Sequence, residues 1–238
     1  MADRSVLITG GSSGIGSALA AVFVRHGDRV VVVARRKALL GRLETELRTQ
    51  GGICHAISCD VRDERSVKAA VIHGQRHTGP FDVLINNAGV TIFKTAPKTS
   101  LKEFDEVLDT NLRGQVTVTM KVLPSMLKRG RGLIINVLSY AAKTTYVASS
   151  AYSAAKAGAE AYMNVLREEV RGKNVKVMNV YPGAVLTEMW QPSQRRQFAR
   201  RMMNPTHVAE LVYAASMQPA SMMVEELVLR PQQGDLKL

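Results

Sequence analysis

Seven short runs rich in Val, Ile and Leu recur along the chain: SVLITG, RVVVVAR, GICHAISCD, FDVLINN, GLIINVLS, VKVMNVYPG and VEELVLRP. Amphipathic helical stretches separate them. Continuous apolar runs mark strands covered on both faces, and strands spaced by helices are joined by crossovers, which makes them parallel. The pattern predicts an α/β fold: a doubly wound, parallel, seven-stranded sheet with helices on both faces. At 238 residues the chain suits one such core and is short for two. One domain over 1–238 is therefore expected. Local punctuation agrees, with a capping box at Ser100 and Glu103 before LKEFDEVLDTNL, and Asn204 with Pro205 opening THVAELVYAASM. One segment breaks the composition, the basic QRRQFARRMMN over 194–204. It reads as a helical insertion after the sixth strand, either a solvated face or part of a substrate lid over about 187–204.

Several function classes recede on composition. No apolar run approaches the roughly 18 residues that cross a membrane, so no membrane insertion is expected. The opening MADRSVLITG carries no secretory pattern and runs straight into a strand, which suggests a cytoplasmic protein. Cys54 and Cys59 fit neither a redox pair nor a zinc site, and no metal is expected. The formal net charge of +12 favours encounters with nucleic acid, anionic lipid or acidic small molecules. No aromatic RNA-binding motif or DNA-reading helix accompanies it, so no nucleic-acid partner is expected.

VLITGGSSGIG places Gly10, Gly14 and Gly16 between the first strand and the first helix. Such a turn can present bare backbone N–H groups and the positive end of a helix dipole to a phosphate. It can also be a plain tight turn. The second strand ends in Arg35 and Arg36, where dinucleotide folds place the group that meets the adenosine ribose. An acidic residue there would accept the ribose hydroxyls of NAD, whereas guanidinium forks suit the 2′-phosphate of NADP. A basic helix start is the alternative.

Tyr152 and Lys156 stand four apart and share one face of any helix they occupy. A free phenol titrates near 10, and a neighbouring ammonium would draw it toward neutrality, making Tyr152 a candidate acid/base. Ser139 closes the fifth apolar run, at the sheet edge where open α/β proteins bind ligands, and its hydroxyl could hold a carbonyl oxygen.

Taken together, these motifs resemble the short-chain dehydrogenase/reductase family over nearly the whole chain. TGGSSGIG resembles its cofactor turn, NNAG at 86–89 its fourth-strand motif, and YPGAVLT at 181–187 the motif after the sixth strand. Asn111, Ser139, Tyr152 and Lys156 match its catalytic tetrad in order and spacing. The resemblance implies a Rossmann fold in which Tyr152 exchanges a proton with the substrate oxygen, Ser139 orients that oxygen, and Lys156 tunes Tyr152 and holds the nicotinamide ribose. Asn111 would hold a helix kink and a water leading from Lys156 to solvent. NADP(H) is implied as the preferred cofactor, with NAD(H) possible. Its contacts would come from Gly10, Ser12, Ser13, Gly14, Ile15 and Gly16 in the turn and from Arg35 and Arg36. Asp60 and Val61 would border the adenine, and Asn87, Ala88 and Gly89 the adenosine-side ribose and nearby backbone. Pro182, Gly183, Val185 and Thr187 would lie along the nicotinamide. A homodimer or homotetramer is implied, packed through the helix carrying Tyr152 and the one before the fifth strand.

Two departures bear on specificity. Ser13 stands where many NADP-preferring relatives carry Lys or Arg, leaving the phosphate preference to Arg35 and Arg36 alone. The strand ends LSYAA where relatives often read SSxAG, and bulky Tyr140 stands beside the catalytic serine, either reshaping the pocket or packing. Candidate pocket residues are Tyr140, Tyr146, Ala184, Met189 and Trp190, enclosing a small-molecule carbonyl or alcohol. The leading reading is an NADP(H)-dependent oxidoreductase on a ketone, aldehyde or alcohol. A protein that binds NADP without turnover, and a binder of nucleic acid or anionic surfaces, are the alternatives.

Overall fold

A computed structural model describes residues 3–236. Strands β1 (Ser5–Thr9), β2 (Arg29–Ala34), β3 (Cys54–Ser58), β4 (Val83–Asn86), β5 (Gly132–Val137), β6 (Val175–Pro182) and β7 (Glu226–Leu229) form one seven-stranded sheet. Its order is β3-β2-β1-β4-β5-β6-β7 and every pairing is parallel. The chain winds outward from β1 to β3, then returns to place β4 on the other side of β1. This reversal opens a crevice at the carboxyl ends of β1 and β4, where such sheets bind ligands.

Both faces are buried, as the continuous apolar runs require. On one face Val30 and Val32 pack with Leu19 and Phe23 of α1 (Gly14–Arg25), Leu40 and Leu47 of α2 (Lys37–Thr49) and Val212 of α8 (Pro205–Ser216). On the other, Val31 and Val33 pack with Val67 of α3 (Glu64–Thr78), Val122 of α5 (Gly114–Arg129) and Met163 of α6 (Ser150–Arg171). Among the described residues no helix is long and apolar enough to cross a membrane.

Three asparagines in register tie the middle of the sheet together. Asn86 Nδ2 donates to Asn136 Oδ1 at 3.0 Å and to Thr119 Oγ1 at 2.9 Å, and Asn136 Nδ2 donates to Asn179 Oδ1 at 3.0 Å. All three side chains are buried, so each lost partner leaves a dry polar group costing about 1–3 kcal/mol. Asn136→Ala is expected to destabilise the protein by about 2–4 kcal/mol in chemical denaturation. A loss under about 1 kcal/mol would show that the ladder is not a determinant of stability.

The predicted caps are present. Ser100 and Glu103 form the capping box that opens α4 (Leu101–Leu108), and Asn204 Oδ1 accepts from Thr206 N at 2.8 Å. Two predicted helices differ. LKEFDEVLDTNL stops being α-helical at Leu108 and widens into a π turn over Asp109–Arg113. Within that turn the Asn111 amide is bonded in both directions to the backbone of Val90. The basic segment is helical only in part: α7 spans Pro192–Phe198, a 3-10 turn follows over Ala199–Arg201, and Met203 pairs with Val185. Backbone bonds from Met203 N to Ala184 O and from Leu186 N to Met203 O, both 2.9 Å, hold its end extended against the loop after β6.

Candidate active site

The glycine turn is shaped by its neighbours as well as by its own conformation. Gly10 and Gly14 have φ of +66° and +58°, a region that L side chains disfavour. A Cβ on Gly10 would lie 2.7 Å from Ala88 Cα, and one on Gly16 would lie 2.3 Å from Gly10 O. Thr9 Oγ1 accepts from Asn87 N and Ala88 N, each at 3.0 Å, and Asn87 Nδ2 donates to Thr9 O and Gly10 O. The NNAG loop is thus fastened beneath the turn. Ser13, the N-cap residue of α1, makes no side-chain capping bond, so the first-turn N–H donors take no side-chain cap. A bare-backbone cradle at a helix N-terminus fits the diphosphate of a dinucleotide.

Beside the cradle, Arg36 reaches from the end of β2 across to the turn. Its Nη2 donates to Ser13 Oγ at 2.6 Å and to Ser12 Oγ at 3.0 Å, while Arg35 lines the same cleft. The serines and arginines therefore form one donor-rich patch. At the next strand end, Arg62 grips Asp60 in a fork, Nε to Oδ1 at 3.0 Å and Nη2 to Oδ2 at 2.7 Å. That bond holds the Asp60 carboxyl below its ordinary range.

Ser139 lies two residues beyond β5, and its Oγ accepts from Ala141 N at 3.1 Å, capping the short turn Tyr140–Ala142. Tyr152 and Lys156 occupy the first two turns of α6. Lys156 is buried, its Nζ donating to Val137 O at 2.9 Å and lying 5.7 Å from the Tyr152 ring centroid. Burial raises the Tyr152 phenol, opposed by its hydrogen bond with Ser139. Burial also lowers Lys156 to about 7. Burial thus acts on both groups, opposing the lowering of Tyr152 that a neighbouring ammonium would bring.

The Lys156 shift has a thermodynamic signature. Between about 7 and the ordinary lysine value of 10.5 the unfolded chain binds a proton there that the folded chain does not. The contribution of this group to stability therefore rises with pH across that window. The stability of Lys156→Met is expected to rise less from pH 7 to 9 than that of the parent chain. Equal slopes in paired thermal melts would contradict a buried, deprotonating Lys156.

A cleft of about 580 Å³ joins these groups. A family model described as short chain dehydrogenase matches residues 4–197. The chain belongs to the short-chain dehydrogenase/reductase family. It is 34% identical to a sepiapterin reductase of Chlorobaculum tepidum, with 98% of each chain covered. Among solved structures it resembles an actinorhodin polyketide ketoreductase with NADPH, at TM-score 0.90 and 31% identity over 98% of each chain. It also resembles a closed serine dehydrogenase with NADP+, at TM-score 0.91 and 28% identity over 98% of this chain and 97% of that one.

Ser139, Tyr152 and Lys156 line the cleft, as do Gly10, Ser12, Ser13, Gly14, Ile15, Arg35, Arg36, Asp60 and Val61. Asn87, Ala88, Gly89, Pro182, Gly183, Val185 and Thr187 line it too, with Tyr140, Tyr146, Ala184, Met189 and Trp190. Gly16 and Asn111 stand behind its wall, one packed under Gly10 and the other bonded to Val90. Phe93, Glu188 and Asp235 line the cleft without having been foreseen. Phe93 stacks on Trp190 with ring centroids 5.5 Å apart, a pairing between segments remote in sequence that no local pattern announces.

Proposed function

We propose that this family member is an NADP(H)-dependent reductase of a ketone or aldehyde, reversible on the corresponding alcohol, with Tyr152 as the acid/base. The observation that carries the reading is the convergence of Ser139, Tyr152 and the buried Lys156 in one cleft with the glycine cradle, Arg35 and Arg36. The nicotinamide, when bound, supplies or accepts the hydride. Ser139 and Tyr152 direct hydroxyls at the substrate oxygen. At neutral pH the raised phenol of Tyr152 holds its proton, the form that donates to an oxygen gaining negative charge during reduction. Lys156, anchored on Val137 O, holds the nicotinamide ribose. Asn111 keeps the Val90 backbone in place through its two amide bonds.

Arg35, Arg36 and the Ser12 and Ser13 hydroxyls favour the 2′-phosphate of NADP, and the NADPH- and NADP+-bound relatives support the same choice. The segment over about 187–204 acts as a substrate lid in a single domain. The two free, buried cysteines suit a reducing compartment, the cytoplasm.

NADPH oxidation followed by absorbance over a panel of carbonyl compounds tests the reading; cofactor binding without turnover of any carbonyl would refute it. The same proposal includes a homodimer or homotetramer. Met120 on α5 and Val165 on α6 are each 60% exposed, an apolar face that a second copy would cover. Light scattering should give a multiple of 26.0 kDa, and a monomer would contradict the assembly.

A further inference from the structure

Beyond Ser139 the cleft is lined by Tyr140, Tyr146 and Asp235, which the cofactor reading leaves unused, and Arg230 and Arg201 stand behind Asp235. Tyr140 follows Ser139 directly, and the guanidinium of Arg230 sits 4.5 Å from the centroid of its ring. After β7 the chain turns at Pro231–Gly234, with Gly234 N donating to Pro231 O at 2.8 Å, and returns Asp235 into the cleft. There Arg230 Nη2 donates to Asp235 Oδ2 at 2.8 Å, and Tyr146 lines the cleft with it, its phenol raised by burial and by the nearby carboxylate. Arg201, from the turn after α7, donates through Nη2 to Asp235 O at 3.0 Å. Its Nε is buried with no acceptor among the described residues. Arg230, Arg201 and Tyr146 thus gather around one acidic residue of the chain itself, the two arginines donating to it.

We infer that Arg230, Tyr146 and Arg201 form an anion subsite for a carboxylate of the substrate, and that Asp235 is its internal occupant. The inference rests on the carbonyl-reductase reading and narrows its substrates to oxo acids and the matching hydroxy acids. The carbonyl lies at Ser139 and Tyr152, and the carboxylate one aromatic side chain away, at the guanidinium stacked on Tyr140. A substrate carboxylate takes the hydrogen bonds of Arg230 and Tyr146, and the half-exposed Asp235 side chain turns out to solvent. The field around the site supports this polarity. The segment 192–203, which follows the cleft-lining Met189 and Trp190, carries Arg195, Arg196, Arg200 and Arg201 and no acidic residue. An ammonium would meet this excess of positive charge unfavourably.

Trp190 is the only tryptophan in the chain and lines the cleft, so its fluorescence reports binding without turnover. Levulinate and methyl levulinate are titrated against the protein alone and with NADP+ present. Levulinate is expected to bind about tenfold more tightly than its neutral ester, as one charge-assisted contact provides. Arg230→Met should abolish that preference with ester binding unchanged, and Tyr146→Phe should reduce the ratio of acid to ester binding. Asp235→Ala, which removes the competitor, should tighten levulinate and leave the ester alone. Equal binding of acid and ester by the parent chain would overturn the subsite, as would weaker levulinate binding in Asp235→Ala, the signature of Asp235 as an anchor for a substrate cation. Retained preference in Arg230→Met would overturn it too. NADPH oxidation is read separately, so loss of the reductase reading leaves this outcome intact and legible.

Discussion

Tyr152→Phe is expected to lower kcat/KM for carbonyl reduction by about 10²–10⁴-fold, the range a positioned general acid contributes, while NADPH affinity stays within about twofold. The argument is geometric before it is electrostatic. Tyr152 and Ser139 line the same cleft, and Lys156 is fixed by Val137 O at 2.9 Å one turn further along the helix. Replacing the phenol with a benzyl group keeps the packing of a residue surrounded by Val107, Ala151 and Ala155 and removes only the proton donor. Unaltered NADPH binding beside lost turnover would separate chemistry from folding. Activity within tenfold of the parent chain would remove Tyr152 from the mechanism and favour a protein that binds NADP for another purpose.

The second large effect concerns the cofactor. The double substitution Arg35→Asp with Arg36→Ala is expected to weaken NADPH by about 10²–10³-fold and to leave NADH equal or improved. Each charge-assisted hydrogen bond to the 2′-phosphate is worth about 1.5–3 kcal/mol, and about 1.4 kcal/mol is a factor of ten in affinity. The new carboxylate repels the phosphate yet can accept from the two ribose hydroxyls. Arg36 also bonds Ser12 and Ser13, so the variant loosens the donor patch as well as removing its charge. A fluorescence titration with each nucleotide reads the result. Parallel losses for NADPH and NADH would mean that the arginines support the turn and do not read the phosphate.

The site was legible where its determinants are local. Tyr152 and Lys156 share a helix face because they are four apart, and the glycines mark a turn that only a bare backbone can make beside Ala88. Asn111 was foreseen at a helix irregularity, and a π turn stands there. Its side chain faces Val90, however, because the loop after β4 supplies both a donor and an acceptor within reach. The basic segment misled for a related reason. Its composition allows a helix throughout, but the open backbone groups of the loop after β6 draw Met203 into extended pairing.

What the amino-acid sequence determined by itself is the alternation of elements, the parallel sheet and the nature of the reacting groups. These depend on periodicity, caps and residue chemistry, which are properties of neighbours along the chain. Only the tertiary structure decided the state and company of those groups. Burial raised Tyr152 and lowered Lys156 to about 7, Arg36 settled on Ser12 and Ser13, and Asp235 came to rest against Tyr146 and Arg230. Desolvation and Coulomb interactions depend on distance in space, and the groups that set them are contributed by segments far apart in the chain.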